Sequence, residues 1–109
     1  MVDKVRANFW GSQIDDVMSE IASKAAICKV RLLDPGVIEA VLQNNPAVCG
    51  SDNPRAFQKL RELLMLGFMV REKSVEKLGA GETEALIATI RERLQEKLGD
   101  RLGGPPAAR

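Results

Sequence analysis

The run "LLMLGFMV", residues 63–70, carries no polar side chain over eight consecutive positions. Whether it continues a helix or turns into a strand decides the fold. It follows "NPRAFQKLRE", residues 53–62, in which Asn53 precedes Pro54 as a cap precedes the first helical turn. On a wheel of about 100° per residue, Phe57, Leu60, Leu63, Leu64, Gly67 and Phe68 share one arc, the expected core face. The opposite arc opens polar with Arg55, Gln58, Lys59 and Glu62, and then turns apolar at Met65, Leu66 and Met69. Burying those three side chains is worth about 1.5–3 kcal/mol each, which together rivals the net stability of a small domain. A cover is therefore expected, from the chain's own helices, from a second copy, or from another protein. A twofold contact would bury the patch twice, and methionine suits a different partner, because its flexible thioether adapts to irregular surfaces.

Working outward, "REKSVEKL", residues 71–78, either continues this third helix or forms a short helix of its own, since Gly67 weakens the middle by about 1 kcal/mol relative to alanine. Upstream, Ser12 with Asp15 has the spacing of a capping box, followed by Ile14, Val17, Met18, Ile21, Ala25 and Cys28 at helical intervals. That predicts a first helix over about 12–31, with 1–11 as an N-terminal arm whose Phe9 and Trp10 staple onto the same chain. A second, short helix is expected over about 35–44, capped by Asp34 with Pro35 in its first turn and presenting Val37, Ile38, Val41 and Leu42. Residues 44–54 read as a loop and "GAG" at 79–81 as a break. A fourth helix follows over about 83–98, with Leu86, Ile87, Ile90, Leu94 and Leu98 in a stripe that packs on the chain's own core. Residues 99–109 read as a disordered, flexible tail. The expected fold is a compact all-α bundle of four or five helices forming one domain over 12–98.

Composition agrees. The chain of 109 residues is 45% apolar and 28% charged, which suits one folded domain, and its four aromatics with no tyrosine leave little material for a sheet-rich core. The N-terminal "MVDKVRANFWG" has no apolar signal-type stretch and no segment is apolar enough to span a membrane, so a cytoplasmic location and no membrane contact are expected. Two cysteines make neither a disulfide framework nor a metal motif.

The residues that commonly carry chemistry are scarce. There is no histidine, so the commonest general base and metal ligand is missing, and neither catalysis, cofactor nor metal is expected. Asp15, Asp16, Glu20, Glu92 and Glu96 fall on polar helix faces, where solvation explains them. "LGAGETE", residues 78–84, lacks the lysine and spacing of a phosphate loop. Cys28 lies on the apolar stripe of the first helix, whereas Cys49 precedes a helix start, where positive dipole character favours a thiolate and makes it the candidate redox residue.

Net charge is +1, which gives no global attraction to nucleic acid. Residues 54–79 nevertheless hold six basic side chains, Arg55, Lys59, Arg61, Arg71, Lys73 and Lys77, against three acidic ones. This admits an alternative fold, a winged helix-turn-helix with a short wing. "RAFQKLRELLMLG" would be the reading helix and "FMVREKSV" the wing strand, an order that resembles regulators whose leucine-rich reading helix ends at glycine. The connection 45–53 is longer than the turn of that motif, and "VREKSVEKL" lacks the glycine or asparagine of a tight hairpin. The favoured expectation is a non-enzymatic interaction or regulatory adaptor module, self-associating or binding a protein partner through Met65, Leu66 and Met69. A DNA-binding regulator is the alternative.

Overall fold

The computed structural model describes residues 4–98, and within them the chain is helical with no strand. Four α-helices run in the order α1 (Lys4–Cys28), α2 (Val37–Leu42), α3 (Pro54–Leu78) and α4 (Ala80–Leu98), with a short 3-10 turn at Pro46–Val48 between α2 and α3. The run 63–70 is helix throughout, and so is 69–77, where the winged alternative requires a strand. α3 is one uninterrupted element, and among the described residues there is no fifth α-helix.

α3 begins as its sequence predicts. The Asn53 side chain accepts a hydrogen bond from the Ala56 amide at 3.1 Å, supplying a partner for one amide of the first turn, and Pro54 occupies a position whose missing N–H costs nothing. Phe57, Leu60 and Leu64 point into the core, where Ile14, Ala22, Ala25 and Cys28 of α1 and Ile90 and Leu94 of α4 cluster with them, and Leu63 is buried beside them on the same helix face. Gly67 does not break the helix, and its bare backbone lies close against α1. A Cβ there would stand 3.2 Å from Ile21 Cδ1, so the missing side chain lets the two long helices approach.

The α3–α4 junction is a single residue, Gly79, at φ 94°. The two helices are tied below it by Ser74 and Thr83, both fully buried, whose hydroxyls share a hydrogen bond of 2.7 Å. The stripe of α4 packs inward as expected: Ile90 and Leu94 are buried, and Leu86, Ile87 and Leu98 lie against the core.

Several boundaries differ from the sequence expectation. α1 starts at Lys4 rather than 12, so residues 4–11 are helical rather than an arm, and Ser12 lies inside the helix. Gly11 there faces α4, with Leu86 Cδ2 only 3.4 Å from where a Cβ would sit. Phe9 and Trp10 form an edge-to-face pair with ring centroids 5.2 Å apart. Asp15, expected to complete a capping box, instead receives hydrogen bonds from Ser19 and from Arg93 of α4. That guanidinium bond is the main reason the carboxyl is held below its ordinary range.

α1 ends at Cys28 rather than 31, where Lys29 turns left-handed at φ 55° and the Val30 amide donates back to Ala25 O at 2.9 Å, and the loop after the 3-10 turn caps that end. The Gly50 amide donates to Cys28 O at 3.0 Å, the Ser51 amide to the same oxygen at 3.1 Å, and the Ser51 hydroxyl to Ile27 O at 3.0 Å. These bonds satisfy carbonyls that have no partner inside the helix. α2 starts at Val37, two residues beyond Pro35, with Gly36 in its cap position at φ 78° and no side-chain cap. Asp34, the expected cap, accepts from Arg31 Nε at 2.9 Å instead. Residues 99–109, read from sequence as a flexible tail, lie outside the described residues, and no described helix is long and apolar enough to cross a membrane.

Candidate functional site: the outer face of α3

Met65, Leu66 and Met69 stand together on the side of α3 turned away from the core, with 50%, 47% and 63% of their surface exposed. Neither α1, α2 nor α4 covers them, so the internal cover weighed at the sequence level is not the one the fold supplies. Seven large apolar residues are exposed among the described residues, and four of them, the three above and Phe68, fall between positions 65 and 69. Scattered single exposed side chains are ordinary, whereas four within five positions of one helix make a concentrated apolar patch.

Phe68 is a departure from the wheel, which placed it in the core. It is 46% exposed and sits on the shoulder of α3, at the edge of an apolar cavity of about 330 Å³ between α1, α3, α4 and the α1–α2 link. Met18, Ile21, Leu33, Ile38 and Ile87 line that cavity, and the Arg71–Glu84 ion pair lies on its rim. In the link 29–36 Val30 and Leu32 turn inward, while Leu33 and, in α2, Ile38 stay only half-buried beside the cavity, a detail that helical periodicity cannot encode.

The six basic residues do not form one patch. Arg61 donates through Nε to Leu42 O at 2.9 Å, which ties α3 to the end of α2, and Arg71 is paired with Glu84 of α4. Lys73 lies 3.5 Å from Glu76 on its own helix, and Arg55, Lys59 and Lys77 are exposed on the outer side, interleaved with Glu62 and Glu76. Alternating charge of this kind is a solvated or pairing face, and it differs from the one-signed stripe that tracks a phosphate backbone.

Cys49 is half-buried and lies within donating distance of Cys28 O at 3.1 Å and Ser51 O at 2.9 Å. It therefore helps to hold the loop on the end of α1. Cys28 beside it is fully buried, and burial, with the neighbouring Cys49 thiol, pushes its pKa up to about 11. Both cysteines are free, and no group of three metal-ligating side chains occurs among the described residues.

No protein-family model matches the chain, and comparison with curated proteins and with solved structures finds no significant match.

Proposed function

We propose that this chain works by association rather than by catalysis, as a small helical interaction or regulatory adaptor module that pairs with a second copy of itself through the outer face of α3. The observation that carries this reading is the exposure of Met65, Leu66 and Met69 side by side on a helix whose other face buries Phe57, Leu60, Leu63 and Leu64.

Magnitudes set the expected strength. Half-exposed side chains of this size gain about 1 kcal/mol each on being covered, so six of them across a twofold contact give roughly 5–9 kcal/mol. Association costs on the order of 4–15 kcal/mol before any gain appears. The two nearly balance, so the pair is weak and reversible, and its population depends on protein concentration.

Sedimentation of the purified chain over a wide concentration range tests this. The expected result is a rising dimer fraction for the wild type and a monomer at every concentration for the Met65→Glu, Met69→Glu double variant, with unchanged helical content. A wild type that stays monomeric at the highest concentrations would remove the reading.

A further inference from the structure

The outer face of α3 carries more than an apolar patch. Lys59, Glu62, Leu66, Met69, Lys73 and Glu76 are all exposed, and they follow one another at alternating steps of three and four residues. That is the spacing of a two-stranded helical seam, laid along the side of α3 opposite the core. Its centre is apolar and its two ends are charged, in the order Lys, Glu at the amino-terminal end and Lys, Glu again at the carboxy-terminal end.

This order discriminates between the ways two copies can meet. In a parallel pairing each residue faces its own counterpart, which sets lysine on lysine and glutamate on glutamate in all four charged layers. An antiparallel pairing about a twofold axis between Gly67 and Phe68 brings Leu66 opposite Met69 of the other copy. The same register places Lys59 opposite Glu76 and Glu62 opposite Lys73, and the symmetry repeats both pairs. One alignment thus satisfies the two apolar layers and all four charged layers together, with no adjustable offset.

Resting on the self-association proposed above, we infer that two copies join as an antiparallel α3–α3 pair in which the Lys59–Glu76 and Glu62–Lys73 contacts fix direction and register. Within one chain Lys73 already lies 3.5 Å from Glu76. In the pair it sits between that glutamate and Glu62 of the other copy, so it exchanges or shares an exposed contact and gives up no buried one. The Arg61–Leu42 and Arg71–Glu84 bonds lie off the seam and are left intact.

Charge reversal tests the register. Glu62→Lys alone sets lysine against Lys73 twice, and Lys73→Glu alone sets glutamate against Glu62 twice, so each variant is expected to dimerise about tenfold or more weakly than the wild type. An equimolar mixture of the two single variants restores pairing to the wild-type level as a heterodimer, and so does the Glu62→Lys, Lys73→Glu double variant. A second readout uses Glu62→Cys and Lys73→Cys chains carrying Cys49→Ser, mixed under mild oxidation by oxidised glutathione. The expected product is the disulfide between position 62 of one chain and 73 of the other, in preference to either like-with-like product. A dimer whose strength ignores both single reversals, or that cross-links 62 to 62, overturns the register and leaves self-association standing. A wild type that is monomeric by sedimentation overturns both.

Discussion

At the scale of single residues, the packing of α3 on α4 turns on Ser74 and Thr83. Each hydroxyl is fully buried and each is the other's partner, so removing one leaves the other desolvated and unpaired. Ser74→Ala or Thr83→Val is expected to cost about 1–3 kcal/mol in urea unfolding, and the double variant less than the sum of the two, because the orphaned partner is gone. Cys28 gives a pH signature. Its thiol rises from an ordinary 9.0 to about 11 on folding. Between those values the folded state holds a proton that the unfolded state has lost, so stability declines as pH rises through that window and is unaffected by this group below it. The expected loss is on the order of 3 kcal/mol. Urea midpoints measured from pH 8 to 11 check it, and a Cys28→Ala variant, less stable at every pH, should lack that part of the slope.

Among the elements, α3 shows what the sequence could and could not convey. The Asn53–Pro54 start and the inward row Phe57, Leu60, Leu63 and Leu64 are local signals, and the structure bears them out. Continuity through Gly67 was not legible, since the residue that weakens an isolated helix is here the residue that admits Ile21 of α1. The same limit explains α1. Ser12 and Asp15 have the spacing of a cap, but tertiary contacts decide: Gly11 packs by Leu86 and Asp15 is taken by Arg93, so the helix runs back to Lys4. Its other end turns at a left-handed Lys29 and is capped by Gly50 and Ser51, more than twenty residues away, which no periodicity foresees. Of the site, Met65, Leu66 and Met69 were visible as apolar residues on a polar arc, whereas Phe68 lay on the border of the wheel and fell on the wrong side of it. Because α3 is one helix, carbon chemical shifts over 67–77 are expected to be helical without interruption. Extended values at 69–77 would return the winged alternative to contention.

For the whole molecule, the arrangement divides labour between two sides of one helix. The inner side of α3, closed by α1 and α4, holds the fold, and the outer side carries Lys59, Glu62, Met65, Leu66, Met69, Lys73 and Glu76 free of the bundle. Changes on the outer side should therefore alter association with little effect on unfolding, which is what makes the surface testable. The most direct test is a dilution series of amide spectra on the full chain. If copies meet where we propose, the concentration-dependent shifts fall on the outward positions of residues 59–76, including Leu66 and Met69. Shifts that cluster instead around the cavity lined by Met18, Ile38 and Ile87, or a spectrum that does not change with concentration, would contradict the account.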